Sequence, residues 1–430
     1  MMASTTSRFV SRLTRDTLAL ILAGGRGARL HMLTDWRAKP AVPFGGKFRI
    51  IDFALSNCVN SGIRRICVLT QYKSHSLIRH IMRGWNTLRV EMDEFVELIP
   101  AQQWVEEAAW FQGTADAVYQ SLDIIHSHYP LYVIILAGDH VYQMDYGEML
   151  AAHVKSGADF TIACIEVPLE EAREFGIMSV DENNQVIDFS EKPNDPTPCP
   201  GNPKFALASM GIYIFSYDYL SNHLQRDAAD VHSSHDFGKD IIPFAVSHQH
   251  HVHAYSFNDQ VTGSDAYWRD VGTVDAYYAA NMEILGPSPA LNLYSPHTRI
   301  FTYQEQLPPA KFIGFSDNEY GIAENTMVSG GCIIHESHLE RSLLFSNTRV
   351  GKHCELRHVL ALPDCEIGDN VRLHKVLLDN GCIVPDGTII GEDADEDASR
   401  YYRSAGGVVV VNRTMLGQDR RYKPAGSIAD

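Results

Sequence analysis

Two patterns of hydrophobic and polar positions divide the chain. From residue 18 to about 285, apolar runs such as LALILA (18–23) and YVIILA (132–137) alternate with stretches such as HSLIRHIMRGW (75–85), where apolar residues recur every three or four positions. The runs indicate strands buried on both faces, and the periodic stretches indicate amphipathic helices. Their alternation predicts an α/β domain with a mainly parallel sheet, which binds ligands beyond the carboxyl ends of its strands.

After about residue 318 the pattern changes to short apolar pairs separated by Gly, Asn, Asp and Cys. Val350, Ile367 and Val384 follow one another at intervals of 17 residues, and Ile334 lies 16 residues before the first of them. A fixed short period predicts a β-solenoid whose coils stack on one another. Chance spacing in an irregular β domain is the alternative, because only a few coils are visible.

The segments outside these two regions lack either pattern. Residues 1–16 are rich in Ser, Thr and Arg and are expected to form a disordered leader, with a short transit peptide as the alternative. Residues 286–317 are rich in proline and have no period, which is typical of a linker. We therefore predict a leader (1–16), an α/β domain (17–285), a linker (286–317) and a solenoid domain (318–430).

Composition narrows the classes of partner. The 430 residues include 36 basic and 53 acidic side chains, a formal charge of −17, and no basic cluster that would favour nucleic acid. No apolar run approaches the roughly 20 residues that a membrane span needs. The eight cysteines form no C-x-x-C pair, which argues against a zinc or dithiol motif and favours reduced thiols in the cytoplasm.

The first predicted strand leads into a loop of glycines and basic residues: Gly24, Gly25, Arg26, Gly27, Arg29 and Lys39. Glycine lets the backbone approach an anion closely, and the cations supply the charge that several phosphates require. The spacing matches neither the Walker A motif nor the Rossmann fingerprint. From these residues alone, a phosphate-binding loop and a structural tight turn remain equally open.

Carboxylates follow other predicted strands. Asp139 ends the run IILAGD, and Asp270 lies in YWRDVGT; two such carboxylates together with a substrate phosphate would suit Mg²⁺. Glu191 and Lys192 are neighbours in FSEKPN, where one could accept from sugar hydroxyls and the other could meet a phosphate. Caps or turns for the aspartates, and an exposed charged turn for the Glu–Lys pair, are the alternatives.

Two further stretches have structural explanations. The histidines between His248 and His253 lack a nearby Cys or acidic partner, so we expect a surface strand end and not a metal site. SSHDFGKDIIP predicts a helix start, with Ser233 or Ser234 as the cap and Asp236 in the first turn.

Taken in order, these stretches resemble one family, the sugar-nucleotide pyrophosphorylases, and within it the members that use ATP and glucose 1-phosphate. The resemblance covers about residues 17–415. It implies a Rossmann-like nucleotidyltransferase domain followed by a left-handed parallel β-helix, and transfer of an adenylyl group from ATP to glucose 1-phosphate for glycogen synthesis. The matching stretches include LAGGRGARL, RAKPAVPFGGKF, GTADAVYQ, LAGDHVY, EFGIMSVDE, EKP, ALASMGIYIF, SSHDFGKDIIP, YWRDVGT and PPAKF.

The resemblance also implies roles for individual residues. The catalytic residues would be Arg29, Lys39 and Asp139, and Mg²⁺ would be held by Asp139 and Asp270. ATP would be bound by Gly24, Gly25, Arg26, Gly27, Gln71, Phe111, Gly113, Thr114 and Asp116. Glucose 1-phosphate would be bound by Gly176, Glu191, Lys192, Ser209 and Asp270. Phe111 replaces the more usual Tyr, which keeps an aromatic face and loses a hydroxyl.

The resemblance is weaker at the residues that suggest regulation. Trp36 stands where relatives activated by sugar phosphates commonly carry Lys, and Pro43 stands where bacterial relatives often carry His or Tyr. Arg49 and Arg413 are retained and could serve an anion site for a small-molecule allosteric effector. Because Trp36 supplies no charge, we expect the usual activator to bind weakly or a different effector to act. The resemblance also implies a homotetramer.

Two rival functions remain. One is a catalytically weak regulatory subunit of the same enzyme, although such subunits typically lose one of the loop cations or metal carboxylates that are present here. The other is the same chemistry with UTP or dTTP, which the GTADAV stretch and the solenoid domain oppose.

Overall fold

The computed structural model describes residues 3–25, 27–101, 110–199, 201–257, 266–296, 298–314 and 321–419. In these ranges the N-terminal domain is a mixed sheet with helices on both faces. Its elements are α1 (Ala3–Arg15), β1 (Thr17–Leu22), β2 (Pro43–Phe44), β3 (Phe48–Arg49), α2 (Ile51–Asn60), β4 (Arg65–Thr70), α3 (His75–Gly84), β5 (Phe95–Pro100), α4 (Thr114–Tyr119), α5 (Leu122–Ser127), β6 (Tyr132–Ala137), β7 (His140–Tyr142), α6 (Tyr146–Ser156), β8 (Phe160–Pro168), β9 (Gly176–Val180), β10 (Val186–Glu191), β11 (Phe205–Ser216), α7 (Tyr217–Ala228), α8 (Ile242–Ser247), β12 (Val252–Ser256), β13 (Trp268–Asp270) and α9 (Val274–Glu283).

The central strands are parallel, as their continuous apolar sequences predict. The order is β10-β9-β11-β6-β1-β4-β5, with β8 alongside β11 and β12 alongside β8. Strand β1 pairs in parallel with both β4 and β6, whereas β11 runs antiparallel to β6. The carboxyl ends of β1, β4 and β6 therefore meet at one edge, and the residues that follow these strands lie close together.

The leader was predicted to be disordered, and over Ala3–Arg15 that prediction was wrong because the segment forms helix α1. Leu13 is buried, and α1 packs on α6. A Cβ at Gly147 in α6 would lie 2.7 Å from Cγ1 of Val10, so the small residue allows the close contact. The Ser- and Arg-rich composition concealed an apolar stripe that lies on the domain.

The C-terminal domain is a left-handed parallel β-helix. Its elements are β14 (Lys311–Ile313), β15 (Ile322–Glu324), β16 (Met327–Val328), β17 (Ile333–His335), β18 (His338–Glu340), β19 (Leu343–Leu344), β20 (Arg349–Val350), β21 (Glu355–Arg357), β22 (Leu360–Ala361), β23 (Glu366–Ile367), β24 (Arg372–His374), β25 (Val376–Leu378), β26 (Ile383–Val384), β27 (Ile389–Ile390), α10 (Ala394–Arg400), β28 (Tyr402–Arg403) and β29 (Val409–Val411).

The stacking register agrees with the sequence period. Ile334 pairs with Val350, Val350 with Ile367, and Ile367 with Val384, in one of the parallel sheets of the coil. The first strand, β14, pairs with β17 and lies within the segment predicted as linker, so the coil begins earlier than the predicted boundary at 318. The proline-rich sequence around it concealed this short strand.

One sheet of the coil also forms the interface with the α/β domain. Leu343, Leu360 and Leu377 pack in the same apolar cluster as Phe44 and Tyr277 of the α/β domain. Their neighbours in sequence, Leu344, Ala361 and Leu378, point into the coil interior, because successive side chains of a strand alternate between faces. The two domains therefore share a continuous hydrophobic core.

The thiols and helices add two observations. All eight cysteines are free thiols, and Cys199 is the partly exposed one among otherwise buried side chains. Over the described ranges, no helix has both the length and the apolar character required to cross a lipid bilayer.

Candidate active site

The loop after β1 lies against the ends of its neighbours in the sheet. The amide of Ala23 donates to the carbonyl of Leu69, and a Cβ at Gly24 would lie 3.3 Å from Cβ of Gln71. A Cβ at Gly138 would lie 2.9 Å from the carbonyl oxygen of Leu22. These glycines let three strand ends approach one another, which brings the predicted nucleotide loop, Gln71 and Asp139 to a single edge. Gly25 has open space beside it, and Arg26 lies outside the described residues.

Lys39 is the centre of this edge. Its Nζ donates to Oδ2 of Asp139 at 2.9 Å and to Oδ1 of Asp270 at 2.7 Å, and only 6% of its side chain is exposed. Asp270 ends strand β13, which pairs with β7 so that Asp270 lies opposite His140. The short β7–β13 ladder therefore brings together two carboxylates that are far apart in sequence.

The electrostatics favour the ionised forms of Lys39 and Asp139. Burial opposes the charged form of Lys39, but Asp139 and Asp270 more than offset it and raise the pKa of the ammonium. Burial would likewise raise the pKa of Asp139, yet Lys39 and His140 lower it to about 2. Lys39 and Asp139 therefore hold their charges throughout the physiological pH range.

Arg29 lies at the rim of the same edge. Its Nη1 is 2.9 Å from Oε2 of Glu174, and its Nη2 is 3.8 Å from Oδ2 of Asp270. Arg29 and Glu174 are both more than half exposed, so their ion pair is weak and an incoming anion can replace Glu174. Gly27 has a φ of 61°, the left-handed conformation that starts the turn carrying Arg29.

The donor chemistry of this edge fits a divalent cation. Donor atoms of Asp139, His140 and Asp270 all lie within 4.8 Å of one another. The carboxylate oxygens are ligands that Mg²⁺ prefers, and Mg²⁺ completes its shell with water and substrate phosphate. Sequence reasoning missed His140, although it directly follows Asp139; Nδ1 of His140 is buried without a hydrogen-bond partner in the described structure.

Four of the five predicted sugar-phosphate residues form a second group, on or directly after β9, β10 and β11, whereas the fifth, Asp270, lies on β13 beside Lys39. The carboxylate of Glu191 lies between two glycines: a Cβ at Gly176 would be 2.8 Å from its Oε2, and a Cβ at Gly238 would be 2.7 Å from it. Burial raises the pKa of Glu191, and Lys192 opposes that shift. Lys192 has a φ of 49°, and Ser209 is nearly buried at the bulge in β11.

The other predicted ATP-binding residues cluster around the start of α4. A Cβ at Gly113 would lie 2.1 Å from the carbonyl oxygen of His235, so only glycine fits there. Thr114 donates to Asp236 at 3.0 Å. Asp116 accepts from the amide of Gln112 and from the side chain of Gln120, both at 2.8 Å, so it also holds the local backbone.

Phe111 and Gln71 complete this group, since Nε2 of Gln71 donates to the carbonyl of Phe111 at 3.4 Å.

The predicted serine caps are wrong. Asp236 is the N-cap of a π-helical turn (Phe237–Ile241), and it accepts from the amides of Gly238 and Lys239. The hydroxyl of Ser233 does not cap this turn and instead donates to Asp227.

The three residues predicted for an effector site lie together, away from Lys39. Trp36, Arg49 and Arg413 line a cavity of about 1020 Å³ between the two domains, and Pro43 also borders it. Its described lining has six basic side chains (Arg37, Lys47, Arg49, Arg79, Arg299 and Arg413) and four acidic ones (Asp35, Glu305, Asp364 and Asp379). This local excess of positive charge contrasts with the strongly negative chain.

Arg49 is held in place without a carboxylate partner on its guanidinium among the described residues. Its Nη1 donates to the carbonyl and to Oγ of Ser76, at 3.1 and 2.8 Å. Burial and the guanidinium groups of Arg37 and Arg79 lower the pKa of Arg49 to about 10, while Asp52 opposes the shift. Arg37 stacks on Trp36 and pairs with Asp379 of the β-helix.

The histidines of residues 248–253 do not assemble a metal site in the described structure. His250 bonds to the hydroxyl of Tyr219, and His248 stacks on Phe244 at 3.9 Å. The groups of metal-binding side chains found in the described residues lie elsewhere. His248 directly follows α8, and His253 lies in β12.

Comparison with known proteins places this geometry in a family. Residues 18–286 match the family model described as nucleotidyl transferase, and residues 308–411 match the model of a GlmU-like, C-terminal hexapeptide. The chain therefore belongs to the nucleotidyl transferases, with a hexapeptide-repeat β-helix as its second domain. The predicted fold class and reaction class are confirmed.

Full-length relatives specify the branch of that family. A glucose-1-phosphate adenylyltransferase of Nitrosococcus oceani is 60% identical over 416 residues, covering 97% of this chain and 98% of the relative. Glucose-1-phosphate adenylyltransferase 2 of Alkalilimnicola ehrlichii is 58% identical, with coverages of 97% and 99%. The glucose-1-phosphate adenylyltransferase of Methylococcus capsulatus is 56% identical, with coverages of 96% and 97%. Within the nucleotidyl transferases, the chain belongs with the glucose-1-phosphate adenylyltransferases.

Proposed function

We propose that the chain transfers the adenylyl group of ATP to glucose 1-phosphate, giving ADP-glucose and pyrophosphate for glycogen synthesis. The observation that carries this proposal is the contact of Lys39 with both Asp139 and Asp270 at the carboxyl edge of the sheet. The names of the full-length relatives specify the substrates.

The reaction requires no general base. A phosphate oxygen of glucose 1-phosphate attacks the α-phosphorus of ATP in line, while the bond from that phosphorus to the bridging oxygen breaks and pyrophosphate leaves. The attacking oxygen is already anionic, so the barrier comes from bringing two polyanions together and from the charge that develops. Lys39 and Arg29 provide fixed positive charge at this edge.

Positioning falls to the second group of residues. We assign the sugar hydroxyls to Glu191, whose carboxylate is fixed between Gly176 and Gly238, and the sugar phosphate to Lys192. Asp139 and Asp270 would hold Mg²⁺, which when bound neutralises phosphate charge in the transition state. Lys39 would then shift from the carboxylates toward the phosphates, so the same ammonium serves the free site and the occupied one.

The cavity between the domains supports a regulatory role. We propose that it binds a small anionic effector through Arg49 and Arg413, and that Trp36 makes sugar bisphosphates weak ligands there. We also propose a cytoplasmic homotetramer. Exposed apolar residues on the β-helix, including Phe312, Ile322 and Ile389, supply surface for self-association, and light scattering in solution measures the subunit number.

Pyrophosphate release tests the main proposal. The chain is incubated with Mg²⁺, glucose 1-phosphate and ATP, UTP, dTTP or GTP, each with and without fructose 1,6-bisphosphate. We expect release with ATP that Asp139→Asn abolishes and that Asp188→Asn, a change at an exposed strand position, leaves intact. Release with UTP or dTTP instead would support the rival nucleotide, and no release in any mixture would support the regulatory subunit.

A further inference from the structure

A second cluster of metal-binding side chains lies away from the catalytic edge. Cys67 on β4 and Glu97 on β5 are direct partners in the parallel pairing of these strands, so their side chains share one face of the sheet. His128, the residue that ends α5, approaches the same face. The sulfur, carboxylate and imidazole donor atoms all lie within 4.8 Å of one another.

The cluster is separate from the nucleotide edge. Cys67 is the third residue of β4, and the carboxyl end of this strand leads to Gln71 on the catalytic edge. His128 lies just before β6 begins, which is the end of β6 opposite Asp139. The cluster is therefore displaced along the strands from the carboxylates that contact Lys39.

The imidazole is already oriented for ligation. Its ring stacks on Phe95 with centroids 4.7 Å apart, and the guanidinium of Arg65 donates to the carbonyl of His128. Nε2 of His128 lies 3.4 Å from Oε2 of Glu97, is shielded from solvent and has no hydrogen-bond partner in the described structure. A buried ring nitrogen without a partner is costly, and a metal ion would satisfy it.

We propose that Cys67, Glu97 and His128 form a binding site for Zn²⁺. Thiolate, imidazole and carboxylate are the ligands that Zn²⁺ takes in proteins, and three of them leave a fourth tetrahedral position for water. Cys67 is buried while Glu97 is exposed, so the ion enters from the Glu97 side and the thiol proton leaves to solvent. The thiolate and carboxylate together balance the charge of the ion.

This site differs in class from the catalytic edge, whose donors are carboxylates and an imidazole without sulfur. A soft ligand such as thiolate favours Zn²⁺ or Co²⁺ over Mg²⁺. Bound metal would join β4, β5 and the end of α5, so its expected effect is on the stability of the folded chain.

Cobalt provides the spectroscopic test. The full-length chain, reduced and freed of metal with a chelator, is titrated with Co²⁺ in the presence of excess Mg²⁺, and absorption from thiolate-to-cobalt charge transfer is recorded. We expect a saturable band near one equivalent that Zn²⁺ removes. Cys67→Ser should abolish the band, and the matched change Cys199→Ser, at the partly exposed thiol, should retain it. A wild-type chain without the band, or a Cys67→Ser variant that keeps it, overturns the proposal.

A variant at an exposed residue tests the site in case the buried change Cys67→Ser prevents folding. Glu97→Gln changes an exposed side chain and should weaken Zn²⁺ binding by about tenfold or more while the chain remains folded. Zn²⁺ should raise the thermal unfolding midpoint of the wild-type chain at concentrations where it leaves Glu97→Gln unchanged. Equal zinc affinity of the two proteins contradicts the assignment.

Discussion

Two cations, the buried Lys39 and the partly exposed Arg49, lie in centres of opposite charge balance. At the catalytic edge, Lys39 contacts two carboxylates, and the pKa of its ammonium is raised. In the cavity between the domains, Arg49 contacts Ser76, and burial together with nearby guanidinium groups lowers its pKa. The first centre holds two carboxylates against one ammonium before any ligand arrives, whereas the lining of the second holds more basic than acidic side chains.

This difference separates two ways of binding a phosphate. At the catalytic edge the carboxylates repel a free polyanion, so a divalent cation is needed to reverse the local charge. In the cavity an anion is attracted directly, and it relieves repulsion among the arginines. Under the proposed function, we therefore expect metal dependence and anion dependence to belong to different parts of the molecule, so that substitutions can separate them.

The largest expected effect comes from Lys39→Met. Removing the ammonium takes away a fixed charge at the reacting phosphates and leaves Asp139 and Asp270 facing each other, so kcat/KM should fall by about 10³-fold. Steady-state pyrophosphate release measures this change, and Lys155→Met on an exposed helix position is the control. A loss below about tenfold would show that Lys39 is structural.

The next effect concerns anion affinity in the cavity. Arg49→Gln removes a charged donor, worth about 1.5 kcal/mol or more, so the affinity for fructose 1,6-bisphosphate should fall by about tenfold. Calorimetric titration without nucleotide measures the dissociation constant. Arg83→Gln, at an exposed position outside the cavity lining, should bind as the wild type does. Unchanged affinity in Arg49→Gln would remove this residue from the anion site.

A smaller gain is expected from restoring a charge. Trp36→Lys replaces the ring that stacks on Arg37 with an ammonium at the cavity wall. An added partly exposed charge contributes roughly 1 kcal/mol, so fructose 1,6-bisphosphate should bind about fivefold more tightly. The same titration compares Trp36→Lys with Trp36→Phe, which should show no gain. Equal binding by both variants would mean that Trp36 is not what limits the affinity.

The smallest expected effect is a gain in folding stability when Arg49 is replaced by Gln. The pKa of Arg49 is about 10 in the folded chain, below the ordinary 12.5, so at any pH below about 10 the charged form is less favourable folded than unfolded. Replacing Arg49 by Gln removes this unfavourable charge but also loses the hydrogen bonds to Ser76. In the absence of a bound anion, the net result should be a rise of up to about 1 kcal/mol in the free energy of unfolding.

Urea unfolding at about pH 6 and about pH 9 should give the same gain, because Arg49 stays charged across that interval. Added phosphate should reduce the difference by stabilising the wild-type chain. A variant less stable than the wild type at both pH values would show that the contacts of Arg49 outweigh its repulsion.

The sequence predicted the strands that are determined by a local hydrophobic pattern or by a repeat period. The apolar runs of β1 and β6, and the repeat through Val350 and Ile367, specify strands whose registers follow from burial. Contacts between distant segments could not be read in this way. Glu174 pairs with Arg29, and His140 lies opposite Asp270, because the fold brings these distant segments together. No spacing in the sequence predicts either contact.

Helix α1 and the cavity were hidden for a related reason. The charged and hydroxyl residues of α1 outnumber the few that pack on α6, so composition favoured disorder. The cavity is formed by two domains together, and its residues Trp36 and Arg413 belong to opposite ends of the sequence. The family resemblance indicated both residues, but only the packing of the two domains places them in the lining of one cavity.

The leucines at 343, 360 and 377 make the contact between the domains modular. Each coil adds one apolar side chain to the shared core and, one residue later, one to its own interior. Deleting a whole coil would shorten both cores by one layer and keep every remaining side chain in phase. Deleting a residue within a strand would exchange inside for outside along the rest of that strand. The turns between strands tolerate such a change, because Ile334 and Val350 pair at an interval of 16 residues and Val350 and Ile367 at an interval of 17.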